Sequence, residues 1–227
     1  MTIPTKSVAM AGLAALAMLG VTCSNANATP FYDNGGTLTI WSAATPGSVS
    51  TSPNQQALAT NPLATDSNRV FTGTYTGAIN FNDPSGGTDT IAGFLDTAGG
   101  STNGTTFGTG LSTQLSSGAY GGFSWASLFE FTFTISAPTT FTVAHDDGFS
   151  IYQGSSKIVD ASAPTTTADT TFTLAAGTYS LWYEEANGLP ADLVMNVPEP
   201  TSIAVLGLGL VGTGMVARRR KSAAAIG

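Results

Sequence analysis

The chain has 227 residues, 42% of them hydrophobic and only 9% charged, with 14 acidic residues against seven basic ones. A net charge of −7 repels nucleic acid. One histidine and one cysteine exclude the usual zinc ligand sets and any internal disulfide framework.

The N-terminus has the layout of an export signal. Lys6 is followed by the apolar run "VAMAGLAALAMLGV", Val8 to Val21, and then by Ala26-Asn27-Ala28, small residues at the spacing signal peptidase requires. The run is too short to cross a bilayer, which takes about 20 residues. Residues 1–28 are therefore expected to be a signal peptide cut before Thr29.

Residues 29–197 form one domain's length of chain, and here the charge is lopsided. Thirteen acidic residues stand against Arg69 and Lys157 alone, because Lys6 and residues 218–221 hold the other basic groups. Helical periodicity is almost absent, and short β-type runs alternate with turn clusters. Strands are expected over 38–42, 70–77, 78–82, 128–135, 139–145, 149–153, 157–160, 170–174, 178–184 and 193–197. The clearest is "LFEFTFTI": Phe129, Phe131, Phe133 and Ile135 point one way, Glu130, Thr132 and Thr134 the other. Residues 43–68 read as a loop with one helical turn near 55–59, and residues 96–122 as a long loop or flap. The pattern predicts an all-β, antiparallel, jelly-roll-like β-sandwich. Its two β-rich halves, 29–125 and 126–197, pack as one unit in this reading.

No catalytic constellation is expected. No G-x-S-x-G surrounds a serine that His145 might serve. Glu130, Glu184 and Glu185 supply carboxylates, but a glycosidase needs two of them placed across one bond.

The run "FTVAHDDGFSIY", Phe141 to Tyr152, interrupts its alternation with two aspartates and a glycine. Two readings stand. Asp-Gly between alternating runs is a hairpin-turn signal. Adjacent carboxylates are also hard oxygen ligands for calcium, which takes six to eight of them.

Residues 129–195 resemble the protective-antigen-type (PA-fourteen) domain. Asp146-Asp147-Gly148, Ile151-Tyr152, Gly154 and Lys157-Ile158-Val159-Asp160 follow that family's order, as do Ala176-Gly177-Thr178-Tyr179-Ser180-Leu181, Tyr183-Glu184, Gly188 and Leu193. Gln153 stands where the family has an aspartate before the glycine. The resemblance implies a β-sandwich over 126–197. In the family's adhesin branch it implies calcium held by Asp146 and Asp147, with sugar hydroxyls on the metal. Asn187, in "EEANGLPAD", is the candidate to complete the ligand set.

The C-terminus is built in three parts: Pro198-Glu199-Pro200, an apolar stretch from Ile203 to Ala217, and Arg218-Arg219-Arg220-Lys221. This order resembles the PEP-CTERM sorting signal of Gram-negative, exopolysaccharide-producing bacteria. For this 198–221 signal it implies transient membrane insertion of the apolar stretch as a short helix, basic residues on the cytoplasmic side, and cleavage by an exosortase; residues 222–227 are a tail. Gly207 to Gly212 spells G-x-G-x-x-G without the strand, helix and acidic partner a dinucleotide site needs. The expected protein is exported and non-catalytic, sorted to the cell surface, outer membrane or matrix. Calcium is its candidate cofactor and an exopolysaccharide or other glycan its candidate partner.

Overall fold

The structure is a computed structural model and describes residues 28–84, 87, 89–97, 109–117 and 122–198. The export signal and the apolar and basic parts of the sorting signal lie outside the described residues. Among those described, no helix is long and apolar enough to cross a membrane.

The described residues form eleven strands and one short α-helix: β1 (Thr29–Pro30), β2 (Tyr32–Ser48), β3 (Arg69–Ala78), β4 (Asn80–Asp83), α1 (Ile91–Asp96), β5 (Phe123–Ile135), β6 (Thr139–Asp146), β7 (Gly148–Gln153), β8 (Ser156–Ala161), β9 (Ala168–Leu174), β10 (Gly177–Glu185) and β11 (Ala191–Val197). They build two antiparallel sheets, ordered β3-β2-β5-β10-β7-β8 and β1-β11-β6-β9, with β4 on β11. Strands from both halves of the sequence enter both sheets. The fold is thus the antiparallel β-sandwich the alternation predicts.

The alternation on β5 explains why the sheets face each other. Phe129, Phe131, Phe133 and Ile135 are buried, whereas Thr134 is exposed. They meet Phe141, Val143, Leu193 and Met195 of the second sheet in one apolar core. Phe94 of α1 plugs one end of this core, stacked on Tyr183 with ring centroids 5.5 Å apart.

Four details depart from the sequence expectations. The first expected strand, 38–42, is only the middle of the 17-residue β2. Helix α1 was not expected. It is capped by the Thr90 side chain, which accepts the Gly93 N–H, and it buries Ile91, Phe94 and Leu95. Residues 49–68 are not a loose loop. A 3-10 turn at Pro53–Gln55 replaces the expected turn at 55–59, and Leu63, Ala57 and Asn61 are buried. Ala64 packs on the apolar group of Trp41, Leu128, Tyr152 and Trp182, where the two tryptophans stack at 5.5 Å. The segment therefore covers part of the outer face of the six-stranded sheet.

The fourth departure concerns Asp146-Asp147-Gly148, which makes no hairpin. β6 and β7 belong to different sheets, so the chain crosses the sandwich at this point. Gly148 is required by space rather than by a left-handed turn. A Cβ there would sit 2.3 Å from the Ser162 carbonyl oxygen and 2.8 Å from that of Ala163. Gly148→Ala is expected to cost about 1–3 kcal/mol, the usual range for overpacking, measured by denaturant titration.

Candidate functional site

The crossing places carboxylates from three elements at one end of the sandwich. Asp146 closes β6, Asp147 follows it across a cis peptide, and Glu185 ends β10. Asp192 of β11 pairs directly with Asp146. Oxygens of Asp146, Asp147 and Glu185 lie within 4.8 Å of one another, and all three residues are buried.

Asp147 is held by a cradle of N–H groups. Its Oδ1 accepts from the Thr165 backbone (3.1 Å) and from Asn187 Nδ2 (2.9 Å). Its Oδ2 accepts from the backbone N–H groups of Ala186 (3.1 Å) and Asn187 (3.2 Å). Asn187 therefore lies beside the cluster, but its amide nitrogen is spent on Asp147. Only its Oδ1 is left to face a cation. Asp146 Oδ2 accepts from the Thr167 hydroxyl at 3.0 Å. The Tyr183 hydroxyl sits between the Asp146 carbonyl and Glu185 Oε2, the latter at 3.0 Å. Having one proton, it can donate to only one of them at a time. Among the described residues, Glu185 Oε1 is buried and has no hydrogen-bond partner; the Gly188 N–H eases the burial of this carboxyl only as the smallest of several effects.

The electrostatics are those of negative charge without a counter-charge. Burial, opposed by the Ala186 N–H and reinforced by Asp146, pushes the Asp147 carboxyl up to about 7. Burial also raises Asp146, with Thr167 opposing and Asp192 adding to the rise. Glu185 is held well above the usual carboxylate range by burial and by Asp147. The two basic residues of this region are engaged elsewhere, Arg69 with Asp66 and Lys157 with Asp160. His145 cannot serve either. Its Nδ1–H donates to the Asp147 carbonyl at 2.6 Å, which leaves Nε2 to accept from the Thr170 hydroxyl at 3.1 Å. Burial lowers its affinity for a second proton.

The sequence singles out Asp146 and Asp147, whereas Glu185 stands in it only as one of three unplaced carboxylates. The alternation of β10 held the missing signal. Tyr183 and Glu185 share the core-facing side, and an acid on the core side of a strand is out of place unless something compensates it. Glu184 faces the other way. It is buried under residues 49–68, accepting from Asn61 Nδ2 at 2.8 Å. The adjacent glutamates thus do not form a pair across one bond, as a glycosidase would need.

The donor set is entirely oxygen, three carboxylates with an orphaned oxygen among them. It suits a hard cation such as calcium, which would need further oxygens from the Asn187 side chain, backbone carbonyls or water.

Residues 196–221 match the PEP-CTERM protein-sorting motif. No curated protein sequence matches the chain. Among solved structures, the fold resembles the PA14 sugar-binding domain from an RTX adhesin, at 16% identity and TM-score 0.44, over 72% of this chain and 87% of that one. It resembles the PA14 domain of the MpAFP antifreeze protein at the same identity and TM-score, over 74% and 83% of the two chains. A GH31 alpha-xylosidase from Xanthomonas citri is similar at 8% identity and TM-score 0.40, over 78% of this chain and 16% of that one.

Proposed function

We propose that the chain is an exported, exosortase-processed, non-catalytic surface or matrix protein. Its sandwich, residues 29–197, binds a neutral glycan through calcium held by Asp146, Asp147 and Glu185, with Asn187 beside them. One observation supports this reading above the rest: three buried carboxylates share one spot with no cationic side chain among their described neighbours. Buried anions are costly unless neutralised by a proton or a cation. A bound calcium leaves coordination positions open for the vicinal hydroxyls of a sugar. The acidic mature region disfavours polyanionic partners and favours neutral ones.

Calorimetric titration of the metal-free protein with calcium tests the site. Saturable binding that Glu185→Gln abolishes is the expected result, and no heat at any calcium concentration overturns it. The sorting part of the proposal has its own test. Replacing Arg218–Lys221 with uncharged residues is expected to block processing and leave precursor in the membrane. Mass spectrometry of the wild-type surface form should find no peptide from residues 222–227. An intact C-terminus there would make the segment a permanent anchor.

A further inference from the structure

At the other end of the sandwich, strand β2 leaves its neighbour. The β2–β5 ladder begins at Leu38, opposite Phe131, although β5 continues to Ile135 on its β10 side. Before Leu38 the chain bulges between Asn34 and Gly36, with Gly35 at φ +105°, and crosses to the second sheet, where the Phe31 N–H bonds the Met195 carbonyl. The splay opens a cleft of about 330 Å³ lined by Tyr32, Asp33, Thr37, Thr132, Thr134 and Thr178 among others. Gly36 allows the close approach on its floor, since a Cβ there would fall 1.6 Å from the Thr132 carbonyl oxygen.

We propose that this cleft is a second binding site, for a neutral saccharide. Four threonine hydroxyls line it, and hydroxyls both donate and accept, as sugar hydroxyls do. Three are already oriented: Thr132 Oγ1 accepts the Thr37 N–H at 2.7 Å, and the Thr134 and Thr178 hydroxyls bond each other at 2.9 Å. Asp33 is buried against the cleft, with Oδ1 taking the Gly36 N–H at 3.2 Å. It adds an acceptor for a hydroxyl and repels anionic sugars, and among the described residues no Lys, Arg or His lines the site. An apolar ligand would strip water from these polar groups without offering new hydrogen bonds in exchange. The Tyr32 ring, 52% exposed, offers a face on which a sugar ring can stack. The volume lies at the small end of ligand pockets, room for one or two sugar rings.

Thr178 and Glu185 stand at the two ends of β10, seven residues or about 23 Å apart. If the metal site binds glycan as proposed above, one domain presents two glycan sites on opposite ends and can bridge two polymer strands. The cleft itself needs no metal, which separates the two claims. Amide NMR of the exported protein in excess chelator, titrated with cellotriose, mannotriose and trigalacturonate, tests it. The expected result is saturable shifts at Gly35, Gly36, Thr37, Thr132 and Thr178 with a neutral trisaccharide and none with the anionic one. The double change Tyr32→Ala with Thr178→Val removes the ring and one hydroxyl, both exposed, and is expected to weaken binding at least ~10-fold while the rest of the spectrum is retained. Absent shifts in the cleft, shifts that the variant leaves unchanged, or shifts with trigalacturonate alone overturn the proposal.

Discussion

Phe131→Ala is expected to lower the stability of the sandwich by about 3–5 kcal/mol, the usual cost of truncating a buried aromatic. Phe131 is fully buried in the centre of β5, 5.5 Å from the Tyr75 ring and 5.6 Å from the Phe81 ring. Tyr75 belongs to the six-stranded sheet and Phe81 to the smaller one, so the lost ring leaves a void between the layers. Neighbouring strands on both sides fix the backbone, which limits how far the site can collapse. Thr134→Ala, on the outer face of the same strand, removes only an exposed hydroxyl contact with Thr178. Its cost should stay below about 0.5 kcal/mol, the range of ordinary surface changes. Denaturant midpoints of the two variants check the comparison. Equal losses would mean that β5 does not bury the phenylalanine face.

The face of β5 was legible because alternation over eight residues has only one reading. The ends of β2 were not, because Asn34-Gly35-Gly36 and Thr45-Pro46-Gly47 look like turns. The strand tolerates the first as a bulge and the second as an irregular stretch before Ser48 rejoins β5. Helix α1 spans six residues, too few for a 3.6-residue period to show, and its burial comes from tertiary packing rather than propensity.

Asp146-Asp147-Gly148 shows a deeper limit. A chain that turns back within a sheet and one that crosses to the other sheet leave the same letters between two alternating runs. Only pairing distinguishes them, and pairing here joins β6 to β9 and β11 but β7 to β8 and β10. The crossing is what brings Asp147 under the Ala186 and Asn187 N–H groups and within reach of Glu185. The two aspartates were visible in the sequence; the third carboxylate became a partner only through the sheet that β10 joins.

The carboxylate cluster should respond to calcium and to pH in linked ways. In the metal-free protein the fold holds the Asp147 carboxyl near 7, well above its ordinary value. A carboxyl raised on folding keeps its proton in the native state after the unfolded chain has lost it. Its contribution is fully present below the unfolded pKa of about 4 and is lost as pH rises through about 7. Metal-free stability should therefore fall across that window, by on the order of 4 kcal/mol if Asp147 acted alone. Calcium competes for the same oxygens, so its stabilisation should grow over the same window. At a hundredfold excess over Kd it reaches about 2.7 kcal/mol. Asp147→Asn is a poor probe, because an amide nitrogen would replace an oxygen that accepts N–H bonds. Glu185→Gln is cleaner: the amide oxygen can keep the Tyr183 hydroxyl, and the amide nitrogen enters the cluster where a cation would sit. The variant should match or exceed the wild type in metal-free stability at pH 7, because the cost of burying an ionisable carboxyl is gone, yet gain nothing from calcium. Melting curves with calcium and with chelator, taken at acid and neutral pH, read both effects. Identical wild-type curves at neutral pH would leave the cluster holding protons and no metal.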